Sequence, residues 1–459
     1  MSKVAVIGGG PAGYVAAITA SRQGADVTLV EEQALGGTCL NEGCMPTKAL
    51  LESAEVWTAV QRAGHFGIEV PLKGAGIQWP RVQAYKDQVV AKLVQGIGYL
   101  MKKNKIAVVR GSARFADART LEVRQEGGTI RIQADRFIVA TGSEPVELAA
   151  APYDGEWIIH SKQAMALPSI PESLLIVGGG VIGCEFASIY SQMGTQVTLV
   201  EMGLQLLPGE DADIAQVLHG ELSRQGVEIR TETTLHRVLR ADKQVELKNA
   251  SSVARHSFER VLIAAGRKPR IRDLGLERIG VTATARGIAV NAHMQTAVPH
   301  IYACGDVIGG IQLAHVAFHE GETAARHACG QEQAPHAAVI PRCIYTSPEI
   351  ASVGLNERQA REAYGDIRIG EFAFAAIGKA LILDQQAGKV KVLVEPVYEQ
   401  IVGVSIVGPR ATELIGQGSL MIHSEMTVDG LEGWIAAHPT LSEAIYEAVL
   451  DAKGQALHS

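Results

Sequence analysis

Long apolar runs, basic blocks and a leader segment are all missing from this sequence of 459 residues. No apolar run reaches the ~18 residues of a membrane-spanning helix, and the first residues enter a strand pattern directly, without a charged and then apolar leader. The net charge is −7, which does not fit a protein that binds nucleic acid or anionic membranes. We therefore expect a cytoplasmic protein with neither nucleic acid nor membrane as a partner.

Cysteine is also scarce. The six cysteines are irregularly spaced, which is no secreted disulfide framework, and in a reducing compartment a close pair is typical of catalysis. Four of them have no neighbour in the sequence and are interpreted as packing residues: Cys184, Cys304, Cys329 and Cys343. The close pair is Cys39 and Cys44.

The composition is that of a globular protein, with 47% apolar and 20% charged residues. A chain of this length is too long for one hydrophobic core and predicts about two to four domains.

Residues 36–48 hold the cysteine pair between glycines, directly before a helix-forming Ala-Leu-Leu run. Five positions of a regular helix advance ~7.5 Å, whereas a disulfide holds its Cα atoms roughly 4.4–6.8 Å apart. A bridged pair therefore needs irregular backbone, which Gly37 and Gly43 permit. A thiol in the first helical turn has a lowered pKa. We interpret the pair as a redox-active disulfide, with two inert buried cysteines as the alternative.

A βαβ nucleotide fingerprint precedes this stretch. Residues 4–7 predict a buried parallel strand, residues 8–13 match G-x-G-x-x-G, a helix follows to about Gln23, and a strand at 27–30 ends in Glu31. Such glycines bring backbone N–H groups close to a pyrophosphate, and the acid binds ribose hydroxyls. The candidate residues are Gly8, Gly10, Pro11, Ala12, Gly13 and Glu31.

The same unit returns later in the chain. Strand 174–177, fingerprint 178–183 and strand 197–200 are followed by Glu201, and both the glycines and the acid are offset by 170 residues from the first copy. The repeat predicts two dinucleotide sites. Its candidate residues are Gly178, Gly180, Val181, Ile182, Gly183 and Glu201.

The neighbours of each copy indicate its cofactor. The first copy runs into the cysteine pair, and a flavin exchanges electrons with thiols, so we assign FAD to it. In the second copy, Glu201 would repel a 2′-phosphate, and Met202 and Gly203 supply no arginine to hold one. NAD is therefore favoured over NADP.

Short strands are predicted between and after the two copies. Residues 108–115 and 129–134 are interpreted as strands of a β-insertion, and residues 137–143 and 261–267 as buried strands that end in tight turns between domains. Ordinary strand-to-loop glycines and direct ligand contacts are both open at these turns.

A Gly-Asp motif ends the strand at residues 301–306, and a helix is predicted to begin near Leu313, Ala314 and His315. The N-terminus of this helix would stabilise an anionic reduced flavin, and Asp306 would accept a hydrogen bond from the ribityl chain. A simple turn or N-cap aspartate is the alternative.

The last third of the chain has a different pattern. After a polar stretch at 331–338, antiparallel strands are predicted at 390–394 and 401–407, with helices at about 412–424 and 441–452. Just before the last helix, His438 and Glu443 come within reach of each other, as a general acid/base and its orienting carboxylate do. A structural histidine is the alternative.

These motifs together resemble a known family. The paired fingerprints, G-G-T-C-L-N-x-G-C-x-P-x-K, A-T-G-S, A-x-G-R-x-P, G-D and H-P-T-L-S-E resemble the pyridine nucleotide-disulfide oxidoreductases, most closely those that oxidise dihydrolipoamide. The resemblance covers essentially the whole chain. It implies an α/β fold of two Rossmann-like FAD/NAD(P)-binding domains plus an α+β C-terminal dimerisation domain. The expected domains are FAD-binding at 1–146, to which a central segment at 267–337 returns, NAD-binding at 147–266 and interface at 338–459.

The resemblance also implies residue roles. Cys39 would exchange with lipoamide while Cys44 faces the flavin, and His438, oriented by Glu443, would act as the base in the other subunit of a homodimer. Lys48 would lie beside the flavin, paired with Glu185. The further implied contacts are Gly37, Thr38, Ala113, Thr141, Gly142, Ser143, Asp306, Leu313, Ala314 and His315 for FAD, and Gly178 to Glu185, Glu201 and Gly266 for NAD. No metal site is expected.

Three positions depart from the family pattern: Arg270 stands where asparagine is common, Ala436 where a second histidine is common, and Glu42 is unusual between the cysteines. No lipoyl domain is recognised, so the substrate is expected on a partner, either a lipoyl-bearing acyltransferase or a glycine-cleavage carrier protein. A glutathione-type reductase and, remotely, a non-catalytic flavin-containing assembly subunit are the competing interpretations. A mercuric-ion reductase would need a C-terminal vicinal cysteine pair.

Overall fold

Two parallel sheets of five strands each carry the two glycine-rich turns. The structure is a computed structural model and describes residues 1–71, 73–331 and 339–458.

The first part of the chain contains β1 (Lys3–Ile7), α1 (Pro11–Arg22), β2 (Asp26–Glu31), α2 (Gly37–Glu42), α3 (Cys44–Arg62), α4 (Trp79–Lys103), β3 (Ala107–Arg110), β4 (Ser112–Asp117), β5 (Thr120–Gln125), β6 (Gly128–Gln133), β7 (Arg136–Val139) and β8 (Ser143–Pro145).

The second glycine-rich turn lies in the next part of the chain. Its elements are β9 (Ile158–Ile159), α5 (Ser161–Ala164), β10 (Ser173–Val177), α6 (Val181–Gln192), β11 (Gln196–Val200), α7 (Ala212–Arg224), β12 (Glu228–Arg230), β13 (Thr234–Leu239), β14 (Gln244–Lys248), β15 (Val253–Ser257), β16 (Arg260–Ile263) and β17 (Arg267–Pro269).

The chain then returns to the first sheet before it builds a third one. These elements are β18 (Ala283–Thr284), β19 (Gly287–Ile288), β20 (Ile301–Ala303), α8 (Ala314–Ala328), β21 (Arg342–Ile344), β22 (Glu349–Gly354), α9 (Glu357–Tyr364), β23 (Arg368–Ala373), α10 (Gly378–Leu383), β24 (Lys389–Val394), β25 (Ile401–Gly408), α11 (Ala411–His423) and α12 (Glu443–Asp451).

The first sheet has the order β20-β7-β1-β2-β3, and the second has the order β12-β11-β10-β16-β9. In each sheet the strand before the glycine turn is central and paired in parallel on both sides. Val4, Ala5 and Val6 of β1 are almost completely buried, because both faces of the sheet are covered and every side chain of the strand meets an apolar layer. The predicted βαβ units are confirmed.

The predicted strand at 108–115 is wrong as a single element. At Gly111, φ is +152° and a Cβ would lie 2.5 Å from the carbonyl oxygen of Arg124, so the chain turns sharply there. β3, before the turn, is the edge strand of the first parallel sheet, whereas β4, after it, opens the antiparallel sheet β4-β5-β6. The sequence interpretation also passed over β5.

The predicted turns at 137–143 and 261–267 each lead into a short strand. β8 and β17 pair antiparallel, with Ser143 opposite Pro269 and Pro145 opposite Arg267. The two segments that connect the nucleotide-binding units therefore run side by side.

The third sheet is antiparallel, with the order β21-β22-β25-β24-β23. It packs against α11 and α12 around a core of its own, and the predicted strands at 390–394 and 401–407 are confirmed as β24 and β25. Residues 332–338 of the predicted polar stretch, and with them the end of the expected segment 267–337, lie outside the described residues. Within the described residues, no helix is both long and apolar enough to cross a membrane.

Candidate active site

The two glycine turns have matching geometry. Gly8 has φ +105° and Gly178 has φ +114°, a region that disfavours any residue with a Cβ. A Cβ on Gly8 would lie 2.2 Å from the carbonyl oxygen of Ala140, and one on Gly178 would lie 2.5 Å from that of Ala264. Each turn is therefore pressed against the end of the neighbouring strand.

The last glycine of each fingerprint serves packing. A Cβ on Gly13 would lie 1.8 Å from the carbonyl oxygen of Gly8, and one on Gly183 would lie 1.9 Å from that of Gly178. Gly13 and Gly183 do not line the cavity described below. Because these glycines lack a side chain, α1 and α6 begin directly at the glycine turn. The N–H groups of the first helical turn have no partner within the helix and are directed towards its N-terminal end.

The acid at the end of each second strand is held by backbone N–H groups. Glu31 accepts hydrogen bonds of 2.6 Å from both Gly9 and Gln33. Glu201 is held in the same way, by bonds of 2.6 and 2.7 Å. These bonds fix each carboxylate beside its glycine turn, where a ribose of a dinucleotide on that turn would lie.

A single cavity of about 2760 Å³ joins the two turns. Ligand pockets are usually ~300–1,000 Å³, so the space is sufficient for two dinucleotides. The predicted site residues that line it are Gly8, Gly10, Pro11, Ala12, Glu31, Gly37, Thr38, Cys39, Cys44, Lys48, Ala113, Thr141, Gly142, Ser143, Gly178, Gly180, Val181, Ile182, Glu185, Glu201, Gly266, Asp306, Leu313, Ala314 and His315. The glycine cradles and the anchored carboxylates fit FAD and NAD.

The cysteine pair spans a break between two helices. α2 ends at Glu42 and α3 begins at Cys44, and between them Gly43 has φ −151° and ψ −110°. The prediction that no regular helix joins the cysteines is confirmed. Cys39 and Cys44 are free thiols that share a hydrogen bond, which is the reduced form of the pair.

The two thiols differ in acidity. The hydrogen bond from Cys39 lowers the pKa of Cys44 to about 7, against the opposing effect of burial and with help from the Lys48 ammonium. That same hydrogen bond, together with burial, raises the pKa of Cys39. When the pair loses one proton, the thiolate therefore forms on Cys44.

Lys48 connects the two nucleotide-binding units. It lies one helical turn after Cys44 on α3, and its ammonium donates to both carboxylate oxygens of Glu185 on α6 at 2.8 Å. The Tyr345 N–H donates to the same carboxylate at 3.1 Å, and the Tyr345 ring lies 4.5 Å from the ammonium. The Glu185 carboxylate is thus buried and fully paired.

A second polar chain runs through Ser143. Its hydroxyl donates to Asp306 at 2.5 Å and accepts from Arg267 at 2.8 Å, and the Arg267 guanidinium also donates to the Ser143 carbonyl oxygen at 2.8 Å. The sequence interpretation gave Arg267 no role, although it follows the predicted contact Gly266. The pairing of β8 with β17 brings Arg267 to Ser143.

α8 begins at Ala314 with Leu313 as its N-cap, as predicted. His315 contacts the Pro341 carbonyl oxygen at 2.9 Å. Further along the helix, Glu320 accepts a hydrogen bond of 2.7 Å from the Gly305 N–H, next to Asp306. Burial raises the pKa of Glu320 to about 7. Its sequence neighbours gave no signal of this contact.

His438 and Glu443 are brought together but lie away from the cavity. His438 Nδ1 is 2.9 Å from a carboxylate oxygen of Glu443, and the Thr440 N–H donates to the other at 2.8 Å. These bonds outweigh burial and lower the pKa of Glu443. The His438 side chain is 78% exposed, and neither residue lines the cavity of its own chain.

Two of the three departures from the family pattern form ion pairs. Glu42, between the cysteines, pairs with Lys162 on α5. Arg270 pairs with Glu32, which directly follows β2. All four residues line the cavity.

Comparison with protein families gives two matches. The model described as pyridine nucleotide-disulphide oxidoreductase matches residues 2–321. The model of the corresponding dimerisation domain matches residues 340–449.

Individual proteins are similar over the whole chain. A dihydrolipoyl dehydrogenase of Bacillus subtilis (strain 168) is 53% identical over 99% of this chain and 100% of its own length. The crystal structure of LpdA from Mycobacterium tuberculosis has a TM-score of 0.90 at 29% identity and covers 98% of this chain and 99% of its own. A HOCl-induced flavoprotein disulfide reductase, RclA from Escherichia coli, has a TM-score of 0.86 at 27% identity, over 97% of this chain and 99% of its own.

Proposed function

The chain belongs to the pyridine nucleotide-disulphide oxidoreductase family, and we propose that it oxidises a protein-bound dihydrolipoyl group to the lipoyl disulfide while NAD⁺ is reduced. The observation that carries the proposal is the thiol pair at the helix break, next to the Lys48–Glu185 ion pair and inside a cavity with two nucleotide cradles. The full-length relative at 53% identity has the same activity in its name.

FAD belongs in the first cradle and NAD in the second. The first cradle shares the cavity with Cys44 and Lys48, and FAD, when bound, takes two electrons from a dithiol and supplies the hydride that reduces NAD⁺. Gly8, Gly10 and Glu31 would hold its adenosine half. In the second cradle, the anchored carboxylate of Glu201 would accept hydrogen bonds from ribose hydroxyls and repel a 2′-phosphate. This favours NAD over NADP.

The cysteines carry out the exchange with the substrate. A dihydrolipoyl thiolate attacks the Cys39 sulfur of the Cys39–Cys44 disulfide, and the S–S bond breaks with release of the Cys44 thiolate. The second substrate thiolate then displaces Cys39, so the lipoyl disulfide leaves and both cysteines are reduced. Cys44 suits its role as the leaving group because the Lys48 ammonium lowers the pKa of its thiol and so stabilises the departing thiolate.

His438 takes the proton from the substrate thiol. The Glu443 carboxylate at 2.9 Å fixes the imidazole and stabilises its protonated form. The pair lies outside the cavity of its own chain, so we assign it to the cysteine pair of a second copy. The C-terminal sheet matches a dimerisation domain, which supports a homodimer.

The partner is a lipoyl-bearing acyltransferase or a glycine-cleavage carrier protein, and the place of action is the cytoplasm. The lipoyl group itself requires only access to Cys39.

The decisive experiment compares cofactors and substrates in one assay. NADH and NADPH are each offered with lipoamide and with oxidised glutathione, and the proposal expects turnover with NADH and lipoamide. NADPH-dependent reduction of glutathione without lipoamide turnover would instead support the glutathione-type reductase. Flavin-loaded protein without either activity would support the assembly-subunit interpretation.

A further inference from the structure

An ion pair joins two chain segments that lie near the first glycine turn. The guanidinium of Arg270 donates to the carboxylate of Glu32, although the two residues are 238 positions apart. Glu32 directly follows β2, and Arg270 directly follows β17. Both residues line the large cavity.

The topology of the sheet fixes what lies between them. β1 is flanked by β2 on one side and β7 on the other. Arg270 is tied to the end of β7, because its N–H donates to the Gly142 carbonyl oxygen at 2.9 Å and its carbonyl oxygen accepts from the Thr141 hydroxyl at 2.7 Å. The pair therefore joins the two strands on either side of β1 at their carboxyl ends.

The glycine turn leaves β1 at the same carboxyl end. A dinucleotide on such a turn places its adenosine toward the acid at the end of the second strand, which here is Glu31. Glu31 is already held by two backbone N–H groups. Glu32, the next residue, instead pairs with Arg270, which is attached to the end of β7 on the other side of β1.

We propose that Arg270 and Glu32 form a salt-bridge latch over the adenosine half of bound FAD. FAD leaves the groove only when the pair opens, so the pair slows release of the cofactor. The side chains are 44% and 40% exposed, and water screens such a pair. Its loss is expected to speed FAD release by roughly two- to five-fold. The inference rests on the proposed FAD site of the first unit.

The test measures release of FAD from the loaded enzyme after dilution, followed by the fluorescence of free FAD. The variants are Glu32→Gln, Arg270→Gln, both together, and the reversed pair Glu32→Arg with Arg270→Glu. Lys268→Gln is the matched control, because Lys268 is a cation on β17 that pairs with Glu144 at 3.3 Å and does not line the cavity.

A latch predicts the same acceleration in both single variants and in the double variant, since all three lose one pair. The reversed pair should return release towards the wild-type rate, the control should match wild type, and high salt should remove the differences. Acceleration by Arg270→Gln alone would overturn the latch, because the arginine would then act on FAD directly. Unchanged release in every variant would also overturn it. Wild-type protein that binds no FAD would contradict the proposed function instead.

Discussion

Lys48 and Glu185 form an ion pair in which both carboxylate oxygens lie 2.8 Å from the ammonium, across 137 residues of sequence. One partner belongs to the helix that begins with Cys44, and the other belongs to the helix that follows the second glycine turn. The pair therefore fixes the reactive thiol relative to the site assigned to NAD, and its two charges act on that thiol with opposite sign.

Removing either partner should shift the pKa of Cys44, in opposite directions. The positive charge of Lys48 lowers this pKa and the negative charge of Glu185 raises it. Lys48→Met should therefore raise the pKa of Cys44, and Glu185→Gln should lower it. Thiolate absorbance as a function of pH, in a Cys39→Ser background where Cys44 alone of the pair titrates, measures both shifts. Two shifts of the same sign would contradict this electrostatic account.

Replacing His438 with alanine should lower lipoamide turnover by about 10²–10⁴-fold, because the substrate thiol loses its proton acceptor. Steady-state oxidation of dihydrolipoamide by NAD⁺ measures the loss. His65→Ala is the matched control, since His65 is also an exposed histidine beside a carboxylate, 3.6 Å from Asp384. Near-normal turnover in the His438 variant would remove it from the mechanism.

Replacing Cys39 with serine should abolish exchange with lipoamide, because no sulfur remains for the substrate to attack. Reduction of the flavin by NADH, followed by its absorbance under anaerobic conditions, should continue. The two measurements separate the thiol step from the nicotinamide step. Lipoamide reduction by this variant would show that Cys39 is not the exchanging thiol.

Mixed dimers test whether the base comes from the second subunit. A dimer of one Cys39→Ser chain and one His438→Ala chain would contain one complete site if the two groups come from different chains. Mixing the two inactive variants under conditions of subunit exchange should then restore part of the lipoamide activity. If the groups came from the same chain, each site would lack one of them and the mixture would stay inactive.

The raised pKa of Glu320 makes stability depend on pH. The carboxyl titrates near 4.3 when unfolded and at about 7 in the fold, so its contribution to stability is fully present below pH 4.3 and is lost as the pH rises through 7. The free energy of unfolding changes by at most about 1.4 kcal/mol per pH unit from this group. Glu320→Gln keeps an acceptor for the Gly305 N–H, so its melting temperature should gain on wild type between pH 5 and 8. A constant difference over that range would contradict the shift.

Local patterns predicted the parts of the site that local sequence determines. The two βαβ units are short, and their apolar residues recur with the periods of strands and helices. Gly43, between the two cysteines, indicated the break between α2 and α3. His438 and Glu443 are five positions apart, and their contact followed from that spacing. The Lys48–Glu185 pair came from the family resemblance, because nothing in either segment alone points to the other.

The contacts that sequence reasoning missed are long-range or depend on one backbone angle. Arg267 reaches Ser143 only because β8 and β17 pair, and the Arg270–Glu32 and Glu42–Lys162 ion pairs join segments that are far apart in sequence. The strand predicted at 108–115 was broken by Gly111, whose positive φ separates an edge strand from a different sheet. The alternation of apolar and polar side chains continues across such a turn, so the sequence pattern does not show where the turn lies.

The matching of the two nucleotide cradles has a consequence for cofactor choice. Gly8 and Gly178 each make a close approach to a neighbouring strand, and Glu31 and Glu201 each accept two backbone hydrogen bonds from equivalent positions. Two nucleotide cradles with the same backbone geometry cannot by themselves discriminate between a flavin and a nicotinamide. The choice between a flavin and a nicotinamide must therefore reside in the segment that follows each fingerprint, so the two units share one backbone design and differ in what is attached to it.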